Sequence, residues 1–196
     1  MASLVRSIDE YHDDTCNQNA KYEGENNMAA LNPTRTQPVT QKITTFLWFD
    51  NNAEEACKFY VSLFKNSRIL NTTHYGDSGA GPKGKVMTVD FELDGQRFTA
   101  LNGGPNFKFT EAISLVVNCE SQQEIDYFWE KLSEDGGKQV ECGWVKDKYG
   151  LSWQVVPSIL WELFQQGDEA TNRIMKAVMT MKKLDVEALK KAAAGN

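Results

Sequence analysis

The hydrophobic residues of this chain follow a strand-and-helix pattern that occurs twice between residues 42 and 157. Runs rich in β-branched and aromatic residues predict strands, and apolar residues three and four positions apart predict helices. The predicted strands of the first round are 43–49, 67–74, 85–93 and 96–101, and its predicted helix is 53–64. The second round has strands at 112–118, 138–144 and 151–156 and a helix at 121–133; a third strand after this helix is only weakly marked. The pattern predicts an α+β fold of two βαβββ units.

Turn and capping residues mark the ends of several elements. Ser121 with Glu124 three residues later forms a capping box at the start of the second helix. Asp94-Gly95 predicts a tight hairpin between two strands. Gly150 permits the positive φ of the turn before the last strand, and Pro157 ends that strand because it has no N–H to donate.

The segments on either side of the repeat differ from it. Residues 1–41 are polar and contain Pro33 and Pro38, so we expect a flexible tail that buries too little apolar surface to offset its ordering entropy. Whether the tail is a processed targeting segment is left open, although its acidic residues are unlike a mitochondrial presequence. After Pro157, the apolar spacing predicts helices. The domains are therefore the tail at 1–41, the paired domain at 42–157 and a helical extension at 158–196.

The composition narrows the class of protein. The chain has 196 residues, 41% of them hydrophobic, and a formal net charge of −6, which argues against nucleic acid and anionic membranes as partners because both attract basic surfaces. No secretory signal is evident, and no apolar run approaches the roughly 20 residues of a membrane-spanning helix. The chain has four cysteines, none of them in a CxxC pair, and two histidines. This argues against a cysteine-rich zinc site and favours free thiols in the cytoplasm.

Several segments carry a family resemblance. They are LWFDNNAEEA (47–56) followed by FY (59–60), ALNGGP (100–105), CGWVKDKYGLSWQVVP (142–157) and MTMKKLD (179–185). As a set they resemble the vicinal oxygen chelate superfamily, which includes glyoxalase I, bleomycin-resistance proteins and extradiol dioxygenases. Within it, they resemble the PhnB-like branch labelled 3-demethylubiquinone-9 3-methyltransferase. The resemblance covers residues 42–192.

This resemblance implies a cup-shaped mixed sheet with the helices outside it, and a homodimer. In metal-using members, each unit supplies one ligand from its first strand and one from its last. The corresponding positions here are Thr45, Thr99, Ile113 or Ser114, and Gln154, of which only Gln154 is a plausible ligand. A divalent metal in such a cup needs three or four His, Glu or Asp donors. We therefore expect neither a bound metal nor another cofactor.

Six residues are candidates for a ligand-binding site in the cup: Thr45, Thr99, Asn102, Ser114, Trp144 and Gln154. Gln154 would hydrogen-bond a carbonyl or hydroxyl group and Trp144 would stack on a planar ligand, although pairing within the sheet and aromatic packing also explain such residues. The side chains of Trp48 and Trp153 should point to the sheet face opposite to that of the candidates on the same strands. We therefore expect both tryptophans beneath the helices. No Ser-His-Asp, Cys-His or paired-carboxylate arrangement is evident, and no catalytic residue is assigned.

The first hypothesis for function is a metal-free protein that binds or converts a small, partly apolar or aromatic molecule in the cup. The alternatives are a metal-dependent enzyme of glyoxalase or isomerase type, a non-catalytic protein that sequesters its ligand, and a methyltransferase. Methyl transfer ranks last, because the chain has no glycine-rich strand-to-helix loop with a downstream acid of the kind that binds S-adenosylmethionine in Rossmann folds. Whether the protein is an enzyme, and what its substrate is, stay open at this point.

Overall fold

A computed structural model of the chain describes residues 41–195, so the predicted tail lies almost entirely outside the described residues. The first unit consists of β1 (Thr45–Phe49), α1 (Ala53–Leu63), β2 (Arg68–His74), β3 (Val86–Leu93) and β4 (Gln96–Asn102). The second consists of β5 (Ser114–Cys119), α2 (Gln122–Ser133), β6 (Lys138–Gln139), β7 (Trp144–Lys146) and β8 (Ser152–Pro157). Three helices follow: α3 (Ile159–Phe164), α4 (Asp168–Val178) and α5 (Val186–Ala194). The predicted α+β fold of two βαβββ units is confirmed.

Each unit forms its own four-stranded mixed sheet with the same strand order. The orders are β1-β4-β3-β2 in the first unit and β5-β8-β7-β6 in the second. The first and last strands of each unit run parallel, and the other neighbours run antiparallel. The helix of each unit packs on one face of its sheet, which we call the inner face; the opposite face is the outer face.

The inner faces supply most of the main hydrophobic core. Phe91 and Ala100 of the first sheet and Val155 of the second are fully buried there. The two units contact each other on this side, where the ring of Phe64 stacks on Phe128 at 4.8 Å and on Trp153 at 5.8 Å between ring centroids. The inner faces are therefore covered within a single chain.

The C-terminal helices form a second core that covers one end of the outer face of the second sheet. Val156 of β8 packs there with Leu160, Leu163 and Ile174. The extension is also fixed to the chain before β7, because the backbone N–H of Cys142 donates to the carbonyl of Met181 at 2.7 Å. None of the helices in residues 41–195 is long and apolar enough to cross a membrane.

The strand predicted over 138–144 is in fact two short strands, β6 and β7. Cys142 and Gly143 separate them with φ angles of 60° and 81°. A positive φ takes the backbone out of the extended conformation, and it costs a residue with a Cβ more than it costs glycine. The weakly marked third strand of the second unit is thus present but only two residues long.

The predicted capping box at Ser121 is confirmed, and α5 has a side-chain cap of the same kind. Ser121 Oγ accepts a hydrogen bond from the N–H of Glu124 at 3.2 Å, and Glu124 Oε2 accepts one from the N–H of Glu120 at 2.7 Å. Asp185 Oδ1 likewise accepts from the N–H of Ala188 at 2.7 Å, at the start of α5. Each cap uses a side chain to satisfy an N–H of the first helical turn, which has no partner within the helix.

Candidate functional site

The outer faces of the two sheets carry matching rows of side chains. The first row crosses the first sheet and consists of Phe46 (β1), Thr99 (β4), Asp90 (β3) and Asn71 (β2), which are successive partners in the strand register. The second row crosses the second sheet and consists of Val116 (β5), Gln154 (β8) and Trp144 (β7). Thr99 and Gln154 occupy the same place in their units, each four residues after the hairpin glycine.

The first row combines an exposed aromatic ring with polar groups. Phe46 is 57% exposed, although it lies within a strand. Beside it, Thr99 Oγ1 donates a hydrogen bond of 2.7 Å to Asp90 Oδ1. On the same face the hydroxyl groups of Thr73 and Thr88 lie 2.6 Å apart. The row therefore presents an apolar end on β1 and a hydrogen-bonding end on β3.

The second row has the same general character. Val116 is 45% exposed. Gln154 Nε2 donates a hydrogen bond of 2.8 Å to Ser114 Oγ, so two of the predicted candidates contact each other. Trp144 is the register partner of Gln154 and is partly exposed beside it. The pairing holds the Gln154 amide in place and leaves its oxygen directed away from this bond, where it can accept from a ligand.

Thr45 and Trp48 lie on the sheet faces opposite to those predicted. Thr45 is in register with Phe98 and shares the inner face with Leu47, whereas Trp48 shares the outer face with Phe46. The Trp48 ring contacts Phe107 edge-on at 4.9 Å, and its Nε1 donates to the carbonyl of Gly104 at 2.8 Å. The position expected for Thr45 differs by one residue from the register of β1, and a shift of one residue exchanges the two faces of a strand. Phe46, which was not a candidate, therefore takes the place expected for Thr45.

The prediction for the other tryptophan is confirmed. Trp153 is 2% exposed and packs on the inner face against Phe64 and Tyr60, beneath the helices. Its indole Nε1 donates to Asp147 Oδ2 at 2.8 Å. Burial raises the pKa of the Asp147 carboxyl above its ordinary value, and hydrogen bonds from Trp153, Tyr60, Leu151 and Tyr149 oppose that rise. This carboxylate is enclosed and fully hydrogen-bonded, so it serves packing between the units.

Asn102 uses its side chain within the fold. Its Oδ1 accepts from the N–H of Ala53 at 2.8 Å, and its Nδ2 donates to the carbonyl of Val86 at 3.1 Å. It thereby caps the start of α1, where the preceding Asn52 makes no side-chain cap. Asn102 also borders a cleft of about 610 Å³ beside the loop that contains Tyr75. It lies away from both rows, on the same sheet face as its register partner Phe49.

Two clefts of the described residues lie apart from the centres of the rows. A cleft of about 800 Å³ runs between the two units and is lined by inner-face residues such as Leu93, Phe98 and Val117. It includes Val116 at its edge, but neither cleft includes Thr99, Gln154 or Trp144. Thr99, Gln154 and Trp144 thus lie outside these two clefts, and a ligand on them would need a second surface to enclose it.

The donor set of the rows does not suit a divalent metal. Phe46 and Val116 have no ligand atom, Thr99 and Gln154 are neutral, and Asp90 is the only carboxylate of the two rows, whereas such a metal needs three or four donors. Within residues 41–195, no group of three or more His, Cys, Asp and Glu side chains is placed to hold a metal ion. The buried thiols of Cys57 and Cys119 are also unsuited to nucleophilic chemistry, since burial raises the pKa of each to about 12.

Comparisons with known proteins cover the paired units. The sequence profile of the family described as 3-demethylubiquinone-9 3-methyltransferase matches residues 41–156. Among solved structures, a PhnB protein from Bacillus cereus shares 43% sequence identity over 60% of this chain and 99% of its own, with a TM-score of 0.55. Protein PA1353 from Pseudomonas aeruginosa shares 21% identity over 60% of this chain and 98% of its own, with a TM-score of 0.51. A search of the curated proteins finds no match.

Proposed function

This chain belongs to the 3-demethylubiquinone-9 3-methyltransferase family, and we propose that it binds or converts a small, partly apolar or aromatic molecule on the outer faces of its sheets, without a bound metal. The observation that carries the proposal is the pair of matching rows. Each row joins an exposed apolar residue on the first strand of its unit, Phe46 or Val116, to a hydrogen-bonding residue on the last strand. Apolar surface with a few placed polar groups is the usual composition of a small-molecule site.

We also propose that a second copy of this chain completes the site. The inner faces already pack against each other within one chain, and large apolar side chains remain exposed on the other side. Phe46 is 57% exposed and Val116 45%. Clustered apolar exposure of this kind marks an interaction surface. A two-fold dimer would place the first row of one copy opposite the second row of its partner and make two equal cups.

The alternatives differ in what happens to the bound molecule. A sequestering protein needs only the apolar and hydrogen-bonding groups of the rows. An enzyme needs a group that moves a proton or attacks the substrate. Asp90 is the only ionisable side chain of the two rows. Proton transfer at this site would therefore use Asp90. Methyl transfer, which the family description names, would require S-adenosylmethionine in the same cup.

Binding of N-phenyl-1-naphthylamine, an uncharged fluorescent arylamine, tests the site and the dimer together. We expect saturable binding of one probe per chain, and a mass in solution of twice the 22.1 kDa of one chain. Val116→Glu should give monomers that no longer bind the probe, because it places a charge in the apolar contact. Met175→Glu, at a residue of α4 that is 42% exposed, is the matched control and should change neither.

Four results would count against the proposal. Folded wild-type protein that shows no saturable probe binding, or equal binding by Val116→Glu, would remove the proposed site. A stoichiometric metal ion in the purified protein would contradict the metal-free part. Thermal stabilisation by saturating S-adenosylmethionine would favour methyl transfer instead, since a ligand that binds only the folded state raises the melting temperature.

A further inference from the structure

We propose that the molecule bound on the outer faces carries a positive charge that pairs with Asp90, together with an aromatic or apolar group that packs on Phe46. This inference rests on the proposed function and adds the charge of the ligand to it. In the first row, Phe46, Thr99 and Asp90 lie side by side on β1, β4 and β3.

The carboxylate of Asp90 has capacity for another partner. Its Oδ1 accepts the hydrogen bond from Thr99 at 2.7 Å. Among residues 41–195, Asp90 makes no ion pair and its Oδ2 accepts no hydrogen bond, although the side chain is partly buried on an open face. The Thr99 bond fixes the orientation of the carboxylate, so Oδ2 is held in place for a donor from outside the chain.

The neighbouring acid on the same face shows the contrast. Glu92 lies two residues further along β3, and both nearby arginines are directed to it. Its carboxylate oxygens lie 3.4 Å from Arg68 and 3.8 Å from Arg97. Arg68 and Arg97 thus pair with Glu92 and not with Asp90, so the carboxylate of Asp90 is available to a ligand. A cation would form a charge-assisted hydrogen bond with it, which is stronger than a bond between neutral groups.

The spacing of the strands gives the size of the ligand. Adjacent strands lie about 4.8 Å apart, so two spacings separate Phe46 from Asp90 by about 10 Å. A protonated amine joined to an aromatic ring by a chain of four carbons matches this span. The aromatic faces of Phe46 and of Trp144 from the opposite row also favour a cation over an anion.

The test compares 4-phenylbutylamine with 4-phenyl-1-butanol, which differ in charge but closely match in shape. Direct calorimetry on the full chain should show the amine binding about fivefold more tightly than the alcohol or better, with the difference shrinking at high salt. Asp90→Asn keeps an acceptor for Thr99 and should abolish the preference. Glu92→Gln is the matched control, because it removes a charge from the same strand and face, and it should retain the preference.

Each other outcome has a definite meaning. Equal affinity for the amine and the alcohol would overturn the inference that the ligand is positively charged, but it would leave the proposed binding site intact. The charge inference is also wrong if neither compound binds, and the proposed function fails with it only if N-phenyl-1-naphthylamine does not bind either. Loss of the preference in Glu92→Gln as well as in Asp90→Asn would overturn the assignment to Asp90. Unchanged circular dichroism of the variants would confirm that they fold.

Discussion

The phenolic oxygen of Tyr60 on α1 donates a hydrogen bond of 2.8 Å to Oδ2 of Asp147, which lies 87 positions later in the chain. Both residues are buried, with exposures of 0% and 3%. The same carboxylate oxygen accepts from the indole of Trp153, and Oδ1 accepts from the backbone N–H groups of Tyr149 and Leu151. The contact joins the helix of the first unit to the turn before the last strand of the second.

Replacement of Tyr60 by Phe should weaken this contact between the units without leaving a large cavity in the core. The ring stays, but the carboxylate loses one of its four donors, so the free energy of unfolding should fall by about 1–2 kcal/mol. Urea denaturation measures the change. Tyr127→Phe is the control, because its hydroxyl lies 3.4 Å from the carbonyl of Leu63 and its side chain is 41% exposed. Equal losses in the two variants would argue against a special contribution from Tyr60.

The buried carboxylate should also affect how stability depends on pH. Burial raises the pKa of Asp147 above its ordinary value. A carboxyl group with a raised pKa in the folded state stabilises the fold at pH values below its unfolded pKa, and that contribution is lost as pH rises through the folded pKa. The free energy of unfolding of the wild type minus that of Asp147→Asn should therefore fall as the pH rises from below the ordinary carboxyl pKa of about 3.9 through the raised pKa of the folded state.

Urea denaturation of both proteins at each pH measures this difference, and the other carboxyl groups cancel in the subtraction. A difference that rises with pH would mean that the four hydrogen bonds outweigh burial and hold the pKa below its ordinary value. Asp147→Asn itself should be destabilising at every pH, by about 2–4 kcal/mol, because an amide nitrogen cannot accept from both Tyr60 and Trp153.

The cap of α1 gives a third prediction. Asn102→Ala removes the acceptor for the N–H of Ala53 and the donor to Val86, and should cost about 1–2 kcal/mol of unfolding free energy. Asn102→Asp keeps the acceptor but loses the donor, so its cost should be smaller. Thermal or urea denaturation distinguishes the two. If Asn102→Ala is neutral, the cap is not a source of stability.

The cysteines should differ in reactivity. Cys57 and Cys119 are buried, at 0% and 1% exposed, and burial raises the pKa of each thiol to about 12. Cys142 is a free thiol that is partly exposed. With Cys16 replaced by serine, 5,5′-dithiobis(2-nitrobenzoic acid) should modify one thiol of the folded protein and three of the denatured protein. Additional replacement of Cys142 by serine should leave the folded protein unreactive; rapid modification of any remaining thiol would contradict the assignment.

The order of elements could be predicted from the sequence because the signals for it are local. Apolar spacing predicts α1 and α2, and Ser121 marks the start of α2 three residues before the N–H that it caps. Thr99 lies on the outer face, four residues after Gly95 of the Asp94-Gly95 hairpin that the sequence predicts. Local patterns of this kind depend on neighbours in sequence, so they can be recognised without the tertiary structure.

The parts that could not be predicted depend on distant residues. The face of β1 is fixed by its pairing with the distant strand β4, so the resemblance implies Thr45 in the cup whereas the register places it on the inner face. The cap from Asn102 reaches a residue 49 positions earlier, which no local pattern indicates. Asp90 did have a local signal, since Asp90 and Glu92 alternate with Val89 and Phe91 along β3. The ligand and the dimer stay predictions.

The origin of the α1 cap has a consequence for synthesis of the protein. Helix α1 begins at Ala53, but its capping side chain belongs to Asn102, at the end of β4. A ribosome must therefore release the whole first unit before this helix can acquire its cap. The cap and the pairing of β1 with β4 form from the same late segment, so the first unit is expected to reach its native state in one step once residue 102 has left the exit tunnel.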